Sequence, residues 1–173
     1  MAMRLARRAW LVDINRLDEP KRIAIESDAV VVGAAVRQFV SERDPAAREN
    51  LPLIGKALKW VGHVQTRNRG TVGGSIVHAD PSAEIPLVAC VLDATLVLHD
   101  ASGTAEVPAR EFFFAPMVTA IAPEQCLAEI RFPIWKGTRT GSAFDEVSIR
   151  HGDFALVSAC AQVALVSEGK RLR

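Results

Sequence analysis

Apolar and polar positions recur with two different periods along this chain, and the changes of period divide it into elements. Residues 10–14, 22–25 and 29–33 are short runs rich in Val and Ile, parted by Asp, Pro and Ser, and they predict strands. Residues 45–64 change to the helical period. Leu51, Ile54, Leu58 and Val61 recur at three- and four-residue spacing, with Arg48, Glu49 and Lys56 on the other face. A glycine-rich stretch follows. Asp80-Pro81 then predicts a helix start, with Asp as N-cap, Pro at the first helical position and Glu84 in the first turn. Ile85, Val88, Ala89 and Leu92 would form its buried face.

Residues 95–98 and 104–107 flank Asp100-Ala-Ser-Gly103 and predict a hairpin. Phe112, Phe113, Phe114 and Met117 predict a core cluster, because large apolar side chains mostly pack inside. Residues 126–132 predict another strand. Pro, Gly and Thr collect over residues 133–141, as at a boundary. Beyond it, residues 143–147 and 155–166 alternate like strands of a second sheet, and Ser167-Glu-Gly-Lys170 would be a turn opening a further hairpin.

Composition narrows the classes. The chain has 173 residues, enough for one sizeable core, and its 49% hydrophobic and 24% charged content is that of an ordinary globular protein. With 21 basic against 20 acidic side chains, no global field argues for nucleic acid. The weakly polar stretch 154–166 is too short to span a bilayer. The basic N-terminus has the look of an export signal, but Asp13, Asn15 and Arg16 break the apolar block that should follow. Cys90, Cys126 and Cys160 lie far apart among apolar residues, which predicts buried free thiols in a reducing cytoplasm. Lacking Cys-x-x-Cys, the chain is expected to hold no iron–sulfur cluster of its own.

Candidate chemistry concentrates around the glycines. Ser75 lies outside any Gly-x-Ser-x-Gly elbow, which removes support for a serine nucleophile. His63, His78 and Asp80 lack the spacing that would complete a metal site, so packing or hydrogen-bonding histidines are expected. His99 and His151 have no partner in the pattern. Neither a Walker phosphate loop nor Gly-x-Gly-x-x-Gly occurs. Arg67 and Arg69 have two readings, a phosphate clamp or a pair that caps the preceding helix and meets acids. Gly73-Gly74 also has two: a tight loop, or a turn presenting bare N–H groups to an anion or a flat ring.

Read as a whole, residues 62–86 say more than their glycines. Gly-His-Val-Gln-Thr-Arg-Asn-Arg-Gly-Thr-Val-Gly-Gly-Ser-Ile-Val-His-Ala-Asp-Pro-Ser-Ala-Glu-Ile-Pro resembles the central signature of the FAD-binding medium subunits of molybdenum hydroxylases, the carbon monoxide dehydrogenase and xanthine dehydrogenase class. That signature reads close to GH-x-x-IRNRGT-[IV]-GG-[SN]-x-x-HADP-x-AE-x-P. Thr66 stands where Ile is usual. Met3-Arg-Leu-Ala-Arg, Leu11-Val-Asp-Ile-Asn-Arg-Leu, Val107-Pro-Ala-Arg-Glu-Phe-Phe, Glu129-Ile-Arg-Phe-Pro, Ala143-Phe-Asp-Glu-Val and Gly152-Asp-Phe-Ala extend the resemblance over nearly the whole chain.

The resemblance implies an α+β fold. Residues 1–133 would be the second lobe of a PCMH-type FAD-binding domain, a mixed sheet with helices, lacking its N-terminal segment. Residues 138–173 would begin an incomplete C-terminal domain of the carbon monoxide dehydrogenase flavoprotein kind. By the same resemblance Thr71, Val72, Gly73, Gly74 and Ser75 contact FAD through backbone N–H groups and hydroxyls. Glu84 would bond hydroxyls of the cofactor, Val61 and Gly62 would lie against it, and Leu127 would touch it near a strand end. Asp145 falls where some relatives place a lysine near the flavin, and an acid cannot take over that role.

The implied activity is that of an oxidoreductase subunit with no catalytic acid–base residues and no metal of its own. FAD would receive electrons from [2Fe–2S] clusters in a small partner subunit and pass them to an external acceptor. Molybdopterin would reside in a large partner subunit of a cytoplasmic heterotrimer. Relatives carry a second loop of the Ala-Gly-Gly-x-Ser type before the region matched here. The chain is therefore expected to be truncated at both ends, and the alternative is a non-catalytic subunit-interaction module that has lost FAD binding.

Overall fold

A computed structural model describes residues 10–135 and 139–165. The Met3-Arg-Leu-Ala-Arg segment of the resemblance, the start of a second domain at residue 138 and the turn at residues 167–170 lie outside the described residues.

β1 (Ile23–Glu26) and β2 (Ala29–Gly33) form a tight antiparallel hairpin. β2 is a continuous apolar run, and Val30, Val31 and Val32 are at most 1% exposed, as befits a strand inside a sheet. The chain then runs through six short helices, α1 (Gln38–Arg43), α2 (Pro45–Asn50), α3 (Pro52–Ala57), α4 (Val64–Arg69), α5 (Val72–His78) and α6 (Glu84–Val91). β3 (Thr95–Asp100) and β4 (Gly103–Pro108) make the expected hairpin. Its turn is tied by Asp100 Oδ1, which accepts from the N–H groups of Ser102 and Gly103 at 2.7 and 3.1 Å. After α7 (Ala109–Phe112) and the small ribbon β5 (Phe113–Ala115) and β6 (Val118–Thr119), β7 (Cys126–Pro133) returns to the middle of the sheet.

The strand order is β1-β2-β7-β3-β4, and every described pair is antiparallel, which corrects the expected mixed sheet. Register explains the core. Ile23, Val32, Ile130, Leu96 and Val107 form one row across all five strands. All five belong to the apolar cluster or pack against it, together with Leu51, Ile54, Leu58, Ile76, Ile85 and Val88 from the helices.

Two helix expectations change for the same reason, proline. The stripe over residues 45–64 is buried at Leu51, Ile54 and Leu58 as expected, but the helix is broken. Pro52 lacks an N–H and its ring excludes the carbonyl four residues back, so Leu51 leaves the helical region (φ −124°, ψ 57°) and α3 starts afresh. Asp44, a cap the sequence reading passed over, starts α2: its Oδ1 accepts from Ala47 N at 3.0 Å, with Pro45 at the first position.

Asp80-Pro81 does not start a helix. Asp80 Oδ1 accepts from Ser82 N at 2.8 Å in a turn, and α6 begins at Glu84 with uncapped Ala83 before it. Pro86 dictates this placement. A helix begun at Pro81 would carry Pro86 in its interior, whereas from Glu84 it falls in the first turn, where a missing N–H costs nothing. The buried face at Ile85, Val88, Ala89 and Leu92 is as expected.

Three further expectations fail on exposure. Residues 10–14 form no strand, and Trp10 and Val12 are 88% and 85% exposed; Asp13 folds back locally to accept from Asn15 N at 2.9 Å. Phe112 is fully buried and meets the half-buried Phe113 edge-on at 5.2 Å, but Phe114 and Met117 stand out at the surface ribbon. The three thiols are free as expected, but none is fully buried: Cys126 is exposed, and Cys90 and Cys160 are half-buried.

β8 (Arg139–Ser148) and β9 (Ala155–Leu165) form a separate antiparallel hairpin, as the alternation predicts. Its inner face rests on α3 and α6. Its outer face carries Asp145 among apolar residues such as Val147, which lies opposite Val157 with both exposed.

Candidate functional site

One end of the sheet, at β2 and β7, together with the helices and the second hairpin, borders a cleft of about 1090 Å³. One wall is the turn after β2, at Ala34, Ala35, Arg37 and Gln38. The floor is the first turn of α5, and the opposite side is the start of α6 and of β7. Gly152, Asp153 and Phe154, from the loop between β8 and β9, stand at its mouth.

Of the nine residues expected to contact a cofactor, all but Val72 line this cleft. Residues separated by up to 66 positions in sequence, Val61 and Leu127, are brought to one surface. Val72 points the other way and is 1% exposed in the core. Asp145 lies outside the lining; it faces outward on β8 and accepts from Glu146 N at 3.0 Å.

The glycine run is not a loop. Gly70 and Thr71 are extended, and from Val72 the chain is helical. Its amides are already engaged, contrary to the expected bare N–H groups. Val72 N donates to Val36 O at 2.9 Å and Gly73 N to Ala34 O at 3.0 Å. Gly74 N donates to Thr71 Oγ1 at 2.9 Å and Ser75 N to Thr71 O at 3.2 Å. Gly73 is there for close approach: a Cβ would sit 2.7 Å from the Cα and O of Ala34. At Gly74 the obstacle would be Thr71 Oγ1 at 2.7 Å, and this residue is exposed to the cleft. The floor therefore offers a bare strip of main chain with the hydroxyls of Thr71 and Ser75, and not a nest of free amides.

Arg67 and Arg69 divide the two readings between them. Arg67 is structural. Its Nε pairs with Glu42 at 3.2 Å, and its Nη1 donates to the carbonyls of Val61 and Gly62 at 3.0 and 3.2 Å, holding these two residues against the cleft. Arg69 lines the cleft and makes no ion pair among the described residues. Arg37, missed in the sequence, also lines it; its guanidinium donates to Asn15 Oδ1 at 2.6 Å and to the Arg69 carbonyl. The only sequence signal for Arg37 was its place just after a strand, and the bridge to Thr71 that fixes it is a long-range pairing.

Among the described acids that line the cleft, Asp80, Glu84 and Asp153, Glu84 is the buried one, 8% exposed. Burial pushes its carboxyl up to about 7; its own backbone N–H opposes the shift, and the charges of Glu146 and Asp80 add to it. His78 lines the cleft, whereas His63 packs on Gly152 and His151 stacks on Trp60 with ring centroids 5.6 Å apart. Among the described residues no cluster of His, Cys, Asp and Glu could hold a metal, and no helix is long and apolar enough to cross a membrane.

Comparison with known proteins agrees with this architecture. The family model described as the FAD binding domain in molybdopterin dehydrogenase matches residues 1–135. The chain is 37% identical over 168 residues to the 6-hydroxypseudooxynicotine dehydrogenase complex subunit alpha of Paenarthrobacter nicotinovorans, covering 96% of this chain and 56% of that protein. It is 34% identical to the carbon monoxide dehydrogenase medium chain of Hydrogenophaga pseudoflava, covering 94% and 56%. The crystal structure of quinoline 2-oxidoreductase from Pseudomonas putida 86 superposes with a TM-score of 0.89 at 34% identity, over 99% of this chain and 58% of that one. The chain thus spans little more than half the length of these relatives. With the family model covering the whole five-stranded sheet and its helices, the chain belongs to the family of FAD-binding domains of molybdopterin dehydrogenases.

Proposed function

We propose that this chain is the FAD-holding part of a medium subunit in a molybdenum hydroxylase-type dehydrogenase, and that the cleft over α5 is where FAD sits. The observation that carries the reading is the convergence of Val61, Gly62, Thr71, Gly73, Gly74, Ser75, Glu84 and Leu127 on one cleft. Val72 serves the site only as the core anchor of α5. The cleft's volume of about 1090 Å³ slightly exceeds the range of about 300–1,000 Å³ typical of ligand sites, which suits an extended dinucleotide.

The residues fit the group. Main chain at Gly70 and Gly74 lets a flat or anionic group come close, since no Cβ intervenes. Val61, Leu127 and Val77 supply apolar wall for a ring; Arg37 and Arg69 supply positive charge for a pyrophosphate. Thr71 and Ser75 supply hydroxyls, and Glu84 an acceptor for sugar-type hydroxyls. FAD, when bound, would supply two-electron and one-electron transfer. The chain's own task is to hold and orient the group and to shield it from water. Asp145 has no part in this.

Around that core we place the rest of the reading: residues 1–133 as the FAD-binding domain and residues 138–173 as the beginning of a second domain. [2Fe–2S] clusters in a small partner subunit would deliver the electrons, and a large partner subunit would carry the molybdenum cofactor. The chain would act in the cytoplasm, a reading supported by its three free thiols. Titration of FAD into the purified chain tests the core of the proposal. Saturation at one site is expected, with Ser75→Ala and Gly74→Val each weakening it about tenfold or more. Equal affinity in well-folded variants would overturn the assignment of this cleft.

A further inference from the structure

Two residues outside the cleft govern which atoms of its wall face a ligand. Arg67 on α4 donates from a single nitrogen, Nη1, to two successive carbonyls, Val61 O at 3.0 Å and Gly62 O at 3.2 Å. Its Nε donates across to α1, to Glu42 Oε2 at 3.2 Å. The two side chains are largely withdrawn from water, Arg67 at 14% and Glu42 at 28% exposure. Neither lines the cleft, whereas Val61 and Gly62 do. Among the described residues Arg67 pairs with no other acid, and Glu42 with no other cation.

This arrangement sorts donors from acceptors. Across a trans peptide the Gly62 N–H points opposite to the Val61 carbonyl. With that carbonyl drawn to Arg67, the N–H is turned the other way, and it meets no acceptor among the described residues. Gly62 can hold the pose because its φ of 45° lies in the left-handed region. The orientation matters for a ligand rich in acceptors. Phosphate oxygens and flavin ring carbonyls are repelled by a carbonyl turned toward them and held by an N–H. Arg67 cannot do this alone. A half-buried cation without its anion is costly, so in the absence of Glu42 the guanidinium gains by turning to water and both carbonyls are released.

We propose that Glu42 is a positioning residue for the cofactor: through Arg67 it keeps the Val61 and Gly62 carbonyls turned away from the cleft and the Gly62 N–H presented to it. The hold on the wall stands on the contacts above. Its effect on FAD rests on the assignment of the cleft to FAD.

FAD affinity of Glu42→Gln, Arg67→Gln and the double variant, each in the 173-residue chain, tests the proposal. Each single substitution is expected to weaken binding by about threefold to tenfold. The double variant should lose no more than Arg67→Gln alone, because Glu42 acts only through Arg67. Parent-like affinity in Glu42→Gln, or effects that add, would overturn the proposal. Val107→Ala, a substitution in the edge strand β4 away from the cleft, should lower stability and keep the parent's affinity. Affinity falling with stability in that variant too would reduce Glu42 to a general structural role and overturn its positioning role. Should Glu42→Gln not fold, Glu42→Asp, one methylene short of Arg67, carries the same test. Amide NMR of the ligand-free chain separates this inference from the FAD reading. Even if the parent binds no FAD, Glu42→Gln should move the signals of residues 61–63 and leave residues 113–116 in place. Unmoved signals at residues 61–63 would overturn the hold itself.

Discussion

Single side chains decide the shape of the cleft floor. Gly73 lies so close to Ala34 that a methyl group would meet backbone at 2.7 Å, and backbone cannot yield as a side chain can. Gly73→Ala should therefore destabilise by about 1–3 kcal/mol, the usual cost of overpacking, although alanine normally favours helix over glycine. A melting curve equal to or better than that of the parent would contradict the packing described here. Glu84 gives a second test at this scale. Its carboxyl is raised from 4.5 to about 7 by burial, so folding favours the protonated form. The corresponding stability is complete below the unfolded value and is lost as pH rises through the folded one. Relative to Glu84→Gln, the parent should lose at most about 3 kcal/mol between pH 4.5 and 7. Parallel stability curves for the two proteins would refute the assigned burial. None of this could be read from composition: the sequence names an acid in a first helical turn, and only the fold supplies its burial.

At the scale of elements, the hairpin of β8 and β9 closes the cleft mouth through one stacked pair. Trp60 and His151 face each other with 24° between their planes, and His63 packs on Gly152 beside them. Such a pair is worth about 0.5–1.5 kcal/mol. Trp60→Ala should accordingly cost about that much and should speed amide hydrogen exchange at residues 149–154, leaving the central strand β7 protected. Unchanged exchange in the loop would mean that the stack is not what fastens it. Element types were largely legible because the periods are clear: β2 coincides with its predicted range, and the hairpin of β3 and β4 follows from alternation and the Asp-Ala-Ser-Gly turn. Proline defeated the boundaries. Pro52 divides one expected helix, and Pro86 moves the start of another, because each is permitted only in a first turn. Alternation misled at residues 10–14, where a strand-like pattern finds no strand to pair with among the described residues.

Across the molecule, the sheet order puts β7, late in sequence, between β2 and β3, and so carries Leu127 to the helices that hold Thr71, Ser75 and Glu84. Periodicity cannot reveal that insertion; the motif over residues 62–86 pointed to the site because its residue types resembled a known cradle. What the motif could not show is that its amides are bonded within the fold, or that Arg37 joins them from the far wall. The central claim is that FAD occupies this cleft. Amide NMR shift mapping, with FAD titrated into the isotope-labelled chain, tests it most directly, since it registers weak and strong binding alike. The largest shifts are expected on residues 61–62, 70–75, 84 and 127, with residues 113–116, which line a separate pocket beside Pro86, Leu87 and Cys90, unmoved. A spectrum unaltered by FAD, or shifts centred on that separate pocket, would contradict it.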